Sequence, residues 1–300
     1  IESRDSLIRI YPQKNLFSHI IGQIDNDNNG ISGLEKSLDK ILKKNLVPVR
    51  LTVDQDIQFL VRKELLKYNQ IFKAKGSAAI LMNVNNGEIM SVVSLPDFDP
   101  NQRIRIEDKN YINRATKGVY ELGSVFKTFT LAAAFNQKLI EPQTEFVDLP
   151  QSLPCSGFMI REYDEKIPTT LTAEDILIRS GNIGSVRIGQ LLGVENFKLF
   201  LNKIGVLGKL NFDIEEVGTP LDFKWGKCKL ATASYGHGIT TTLLQLAKAY
   251  SIITNGGYKI EPTLIKNKEK NKKQILNKNV SEKILPILRK IVTTKEGTAS

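Results

Sequence analysis

Ser124 and Lys127 are the residues of this chain best placed to do chemistry together. They lie in Tyr120-Glu121-Leu122-Gly123-Ser124-Val125-Phe126-Lys127-Thr128-Phe129-Thr130, where a glycine leads into a serine and a lysine follows one turn later. The apolar, alanine-rich run that continues it, Leu131-Ala132-Ala133-Ala134-Phe135, predicts a helix with Ser124 at its start. Residues three apart on a helix are neighbours, so the Lys127 amine comes round to the face that carries the hydroxyl. The first N–H groups of such a helix are unpaired and stand at the positive end of its dipole, which favours a negative oxygen developing near Ser124. This is the chemistry of a serine nucleophile activated by a lysine. A plain N-cap is the simpler role for Ser124, and Ser37-Leu38-Asp39-Lys40 has the same S-x-x-K form. Spacing alone does not choose between them.

Other chemistries have less support. His19 and His237 are the only histidines and both are remote in sequence from Ser124, so lysine is the more accessible base. Cys155 and Cys228 form no C-x-x-C and have no histidine at ligand spacing, which predicts neither a metal site nor a cofactor. The formal charge of +10 is concentrated: Lys266 to Lys278 holds six lysines against the single acid Glu269. Such a run reads as a solvated loop, and without aromatic interleaving it predicts no nucleic-acid partner.

The elements that must position Ser124 and Lys127 follow from length and pattern. With 300 residues, 41% of them hydrophobic, the chain is globular and long enough for one large domain or two smaller ones. No run reaches the roughly 18 apolar residues of a membrane span, and no signal-peptide pattern opens the chain. It begins at Ile1 and ends at Ser300 in what reads as a turn, so we expect a piece of a longer polypeptide. Residues 1–50 are glycine-punctuated and end in a short helix, Leu34 to Leu42, before a boundary at Val47-Pro48-Val49. Leu51 to Val53 reads as a strand and Asp54 as the cap of a helix with Ile57, Leu60, Val61, Leu65 and Leu66 at helical spacing. Ser77 to Val84 and Glu88 to Ser94 predict a hairpin about Asn85-Asn86-Gly87. Glu141 to Thr170 is proline-dotted and reads as an irregular surface excursion.

A second polar pair lies beyond it. Thr172 to Asp175 predicts a capped helix start, the helix breaks at Ser180-Gly181-Asn182, and another runs from Ile183 to a stop at Gly193. Ser180 and Asn182 therefore sit in an elbow between helices, either capping the two helices or turned together toward a cleft. Farther on, Tyr235-Gly236-His237-Gly238-Ile239 is a glycine-flanked loop feeding a helix, Leu243 to Ile253, that Asn255-Gly256-Gly257 ends. A last amphipathic helix spans Ser281 to Thr294.

S-x-x-K followed by an S-x-N elbow is a motif set of penicillin-binding proteins and class A β-lactamases. On these residues the chain resembles the class B penicillin-binding proteins, most closely the septal D,D-transpeptidases of bacterial cell division. The likeness runs from Arg9-Ile10-Tyr11-Pro12 and Gly33-Leu34-Glu35 through Leu51 to Asp54, Tyr120 to Thr130, and Tyr235 to Gly257. It implies an α+β fold of the transpeptidase/β-lactamase type, an antiparallel sheet flanked by helices plus an all-helical subdomain. Residues 1–50 would be the end of a non-catalytic pedestal and 51–300 the transpeptidase domain. By the same resemblance Ser124 is the nucleophile, Lys127 its base, Ser180 a proton relay and Asn182 an orienting amide. Peptidoglycan stem peptides and β-lactams would be the ligands and membrane proteins of the division machinery the partners, with the domain on the outer side of the inner membrane. A serine β-lactamase or β-lactam sensor, and a non-catalytic division scaffold, are the rival readings.

Two departures stand out. Gly181 occupies the middle of S-x-N where the family usually has Ser or Asp, and no K-T-G is present. Lys295-Glu296-Gly297-Thr298 is a poor substitute, because it continues a helix and puts a carboxylate where the substrate's own carboxylate should be received. The expectation is that the chain stops before K-T-G, lacks three of the family's five strands, and holds an incomplete site.

Overall fold

The structure, a computed structural model, describes residues 9–44, 47–102, 108–266 and 273–300. Residues 267–272 of the lysine-rich run, and 1–8 of the segment read as a pedestal, lie outside the described residues. After a 3-10 turn come α1 (Ser18–Ile21), α2 (Gly33–Ser37) and α3 (Asp39–Lys44). The single helix expected from Leu34 to Leu42 is thus interrupted at Leu38. Asp39 restarts it, its carboxylate turning back to accept the Gly30 N–H at 2.9 Å and the Lys43 ammonium at 2.9 Å.

Asp54 caps α4 (Gln55–Ile71) by accepting from the N–H groups of Asp56 and Ile57. The strand expected over Leu51 to Val53 reduces to one bridge, Leu51 with Ile265. The Asn-Gly hairpin forms as β1 (Ser77–Met82) and β2 (Ile89–Leu95), antiparallel, with a bulge between Leu81 and Met82. The buried Gln58 of α4 is bonded to this sheet like an extra strand residue: its amide donates to the Val92 carbonyl at 2.8 Å and accepts from the Val92 N–H at 3.0 Å. Ile20 and Leu34 from the N-terminal segment share one apolar cluster with Ile89, Val92, Ala115 and Leu244.

His19 is buried in that junction. Its Nε2–H donates to the Asn110 carbonyl at 2.8 Å and its ring meets Phe98 edge-on at 5.3 Å. Burial lowers its pKa from 6.5 to about 4. The folded ring is neutral where the unfolded ring would bind a proton, so its contribution to stability is complete above pH 6.5 and disappears as pH falls toward about 4. We expect this group alone to cost about 2–3 kcal/mol over that window. Denaturant midpoints from pH 7.5 to 4 should fall less in His19→Gln, whose amide keeps a donor and has no proton to gain; parallel curves would refute this.

The rest of the molecule is mainly helical, built around α5, with short two-stranded pairs between the helices. β3 (Val119–Tyr120), a 3-10 turn (Gly123–Phe126) and α5 (Lys127–Asn136) follow in order. Every residue of α5 from Lys127 to Phe135 is buried, as its all-round apolar composition requires. Glu141 to Thr170 is not irregular but carries β4 (Glu145–Phe146), β5 (Ser152–Cys155) and β6 (Phe158–Arg161), with β7 (Leu171–Thr172) just after it. β5 and β6 form a two-residue hairpin in which Ser156 and Gly157 both have positive φ, 47° and 86°, the backbone that such tight turns need. β4 pairs with β7 across the excursion.

Thr172 caps α6 (Ala173–Ile178), and α7 (Asn182–Lys203) is split at Gly193 (φ 73°, ψ 164°), where a stop was expected. α8 (Lys227–Ala233) precedes β8 (Thr241–Thr242) and α9 (Leu243–Thr254), whose start is a capping box between Thr242 and Gln245. α10 (Lys278–Thr293) begins three residues before the expected Ser281, because the Ser281 hydroxyl is committed elsewhere. It donates to the Ile253 carbonyl and accepts from the Gly256 N–H, each at 2.8 Å, tying α10 to the end of α9. Past α10 the chain forms turns, with the Gly297 N–H on the Thr294 carbonyl at 3.0 Å, so Lys295 to Thr298 is no strand.

Cys155 of β5 and Cys228 of α8 form a disulfide across 73 positions, a pairing that reading the two cysteines only for metal ligation missed. Closing a loop of that length removes freedom from the unfolded chain, and replacing both cysteines by alanine should lower the unfolding free energy by about 2–4 kcal/mol. Denaturant midpoints with and without dithiothreitol measure it; identical midpoints would count against the bond.

Candidate active site

Ser124 stands exposed on the 3-10 turn that Gly123, at φ 62°, starts. Four contacts fix this turn. β3 pairs with β8 just before it. The Tyr250 hydroxyl of α9 donates to the Val125 carbonyl at 2.8 Å and lies 3.0 Å from the Thr128 hydroxyl. The Phe129 ring meets Tyr250 at 5.1 Å and Phe126 at 5.3 Å. Gly236 (φ 85°) lies so close that a Cβ there would collide with the Gly123 carbonyl. The loop Tyr235 to Gly238 can seat against the Ser124 turn only because it is glycine there.

Lys127 opens α5 and is 2% exposed. As the first residue of a helix buried on all sides, it has little access to water. Burial lowers the Lys127 pKa from 10.5 to about 8, against an opposing, raising effect of the Glu162 charge. Ser37 and Lys40, the chance S-x-x-K, are placed differently: Ser37 ends α2 and Lys40 is exposed on α3.

The elbow between α6 and α7 delivers the second pair. Ser180 has φ 55°, the left-handed conformation that glycine usually supplies after a helix. Its N–H bonds the Leu177 carbonyl at 3.1 Å and the Gly181 N–H the Ile176 carbonyl at 2.8 Å, closing α6. A side chain here costs about 1 kcal/mol relative to glycine, and what it gains is contact: the Lys127 ammonium donates to the Ser180 hydroxyl at 2.9 Å and also to the Ser180 carbonyl. The two motifs, 53 positions apart, thus meet at one amine. The Asn182 side chain takes a different partner, donating to the Arg161 carbonyl at 2.8 Å. Of the two elbow side chains it is Ser180 that bonds Lys127, and Asn182 ties the elbow to β6.

Sequence reasoning missed Glu162. Its carboxylate accepts the N–H of Asn182 at 2.6 Å and of Ile183 at 2.8 Å, satisfying the start of α7. Its only sequence signal was the Ser156-Gly157 turn, which ends five residues earlier and announces the hairpin that finishes beside it. On the exposed rim, His237 Nδ1 lies 3.4 Å from a carboxylate oxygen of Glu121 and the His237 ring stacks on Tyr235 at 6.1 Å. No group of three or more metal-ligating side chains occurs among the described residues.

Lys127, buried three residues after the exposed Ser124, is hydrogen-bonded to Ser180 of the helix elbow, so the two polar pairs singled out in the sequence are joined through this amine. The family model for the penicillin binding protein transpeptidase domain matches residues 77–300, from the first residue of β1 onward, and the chain belongs to that family. Among its relatives, the probable peptidoglycan D,D-transpeptidase FtsI of Caulobacter vibrioides is 28% identical over 96% of this chain and 50% of its own length. The peptidoglycan D,D-transpeptidase FtsI of Buchnera aphidicola is 31% identical over 98% of this chain and 56% of its own. The chain therefore spans about half the length of the curated relatives it matches. Penicillin binding protein 3 of Mycobacterium tuberculosis superposes with a TM-score of 0.87 at 25% identity, covering 98% of this chain and 71% of that one. The same protein has been solved with ampicillin and with aztreonam. The α+β fold expected from the sequence is borne out by these neighbours. No helix among the described residues is long and apolar enough to cross a membrane.

Proposed function

We propose that this chain is the transpeptidase portion of a septal peptidoglycan D,D-transpeptidase, with Ser124 as its nucleophile. The observation that supports the reading is the bond from the Lys127 amine, three residues after the exposed Ser124, to Ser180 of the elbow. In the reaction, Ser124 Oγ attacks the carbonyl carbon of the penultimate D-alanine of a stem peptide and its proton passes to the neutral Lys127 amine. The tetrahedral intermediate collapses, its C–N bond breaks, and the proton held on Lys127 passes through the Ser180 hydroxyl to the departing amine of the terminal D-alanine. An amine from a neighbouring strand then attacks the ester, forms the cross-link and returns the hydroxyl to Ser124. Asn182, fixed on the Arg161 carbonyl, keeps the elbow in register and presents its remaining amide atoms to the peptide backbone of the substrate.

A β-lactam enters the same step as a cyclic amide. Ring opening leaves it joined to Ser124 as an ester with no departing amine to make room for an acceptor, so the adduct persists. Division-machinery membrane proteins as partners, and a position outside the inner membrane, follow from the resemblance to septal enzymes such as the two FtsI relatives.

The test uses the full-length gene product, incubated with a fluorescent penicillin and separately with a synthetic peptide ending in D-alanyl-D-alanine. One stable label per molecule together with release of D-alanine on adding an acceptor amine is expected. Rapid hydrolytic turnover of the penicillin would make the protein a β-lactamase, and absence of any label would make it a scaffold.

A further inference from the structure

We infer that Glu162 is a positioning residue of this site, whose carboxylate both fixes the Ser180-Gly181-Asn182 elbow and supplies the negative charge facing the Lys127 amine. The inference rests on the reading of Ser124 and Lys127 given above.

The geometry carries it. The hairpin β5–β6 ends at Arg161, and the next residue turns its carboxylate into the start of α7, one oxygen on the Asn182 N–H at 2.6 Å and the other on the Ile183 N–H at 2.8 Å. Three further bonds run between the same hairpin and the elbow or within it. The Asn182 amide donates to the Arg161 carbonyl at 2.8 Å, the Tyr163 hydroxyl to the Arg179 carbonyl at 3.0 Å, and the Ser185 hydroxyl to the Gly181 carbonyl at 2.7 Å. The elbow is thus fastened on both sides of Ser180. Glu162 lies directly against the elbow: a Cβ at Gly181 would stand 3.6 Å from Glu162 Oε1, an ordinary van der Waals contact.

The charges around Lys127 are few. From the hairpin, Glu162 opposes the effect of burial on the amine. From α9, the Tyr250 hydroxyl faces the same turn, but burial pushes its pKa upward and it stays neutral. The Glu121 and His237 pair lies on the solvent-exposed rim. When Lys127 accepts the Ser124 proton, an ammonium forms where water is excluded. A fixed carboxylate nearby stabilises that ion without moving, which is the electrostatic preorganisation an acyl-transfer site needs.

The two roles separate experimentally. In the full-length protein, Glu162→Gln removes the charge and one of the acceptors, whereas Glu162→Asp keeps the charge and shortens the reach. The second-order rate constant for acylation by a penicillin is measured from pH 5.5 to 9.5, with a melting curve for each variant. In Glu162→Gln the acid limb should move down by about half a unit to one unit, since the group that raises the Lys127 pKa is gone, and the plateau should fall by about tenfold or more. Glu162→Asp should hold the midpoint of the wild type while losing part of the plateau. A Glu162→Gln profile that falls without moving reduces Glu162 to an ordinary helix cap and overturns the inference. So does a wild-type plateau in either variant. If Glu162→Gln does not fold, Glu162→Asp decides by its midpoint, and a displaced midpoint with the charge retained overturns the electrostatic half. Wild-type protein that is not acylated at Ser124 overturns the functional reading itself, whereas a normal wild-type profile copied by both variants removes Glu162 alone.

Discussion

Ser124→Ala in the full-length protein will abolish covalent labelling by penicillin, with the acylation rate constant down by at least about 10^4-fold. The size follows from what is removed. Every later step needs the ester, and no other group on the turn is a nucleophile: the hydroxyl is the only reactive atom that Gly123 to Phe126 offers. The control is built into the site. Ser124 is exposed, so its loss should change stability by under about 0.5 kcal/mol, and the melting temperature of the variant should match the wild type. Mass spectrometry of the labelled wild type should place the adduct on the peptide containing Ser124. Labelling that survives in the alanine variant would identify a different nucleophile and end the assignment.

Lys127→Met will cost about 10^3-fold in the same rate constant, within the range for removing a general base. Methionine keeps the length and apolar stem of the side chain but has no proton site, so packing around α5 is largely preserved. Lys127→Arg should be no better, because a guanidinium stays charged at every accessible pH. The wild-type enzyme carries a sharper signature. With a pKa of about 8 for the free protein, roughly a tenth of the amine is neutral at pH 7, against roughly one part in three thousand for an ordinary lysine. Burial therefore raises the supply of base by roughly 300-fold. Acylation should climb tenfold per pH unit below about 8 and level off above it. A profile still rising at pH 10 would mean that Lys127 is not the base.

How much of this was legible in the sequence depends on how local the signal was. The Asn-Gly hairpin, the Asp54 cap, the Gly193 stop and the helix break at Ser180 are each written in a few neighbouring residues, and each formed as read. The bond between Lys127 and Ser180 was foreshadowed only by the resemblance, because nothing in the spacing of two residues 53 positions apart fixes their distance in space. The excursion from Glu141 to Thr170 was misread because its strands are two to four residues long, too short to show alternation. β4 finds its partner in β7, beyond the end of that excursion. Glu162 was lost with it, since a carboxylate that caps a helix twenty residues away leaves no mark on its own neighbourhood. Leu38 illustrates the opposite error: good helical periodicity from Leu34 to Leu42 concealed an aspartate that preferred the Gly30 backbone.

The bond between Cys155 and Cys228 also governs how the protein must be made. It joins the hairpin leading to Glu162 to the helix before the Tyr235 loop, so the shape of the site is tied to thiol oxidation during maturation. Disulfides persist where the surroundings are oxidising. Material produced in a reducing cytosol and material secreted through an oxidising compartment would carry the same sequence yet differ by one covalent link at the turn end of the hairpin that leads to Glu162. Preparations should therefore be matched for thiol content before their acylation rates are compared.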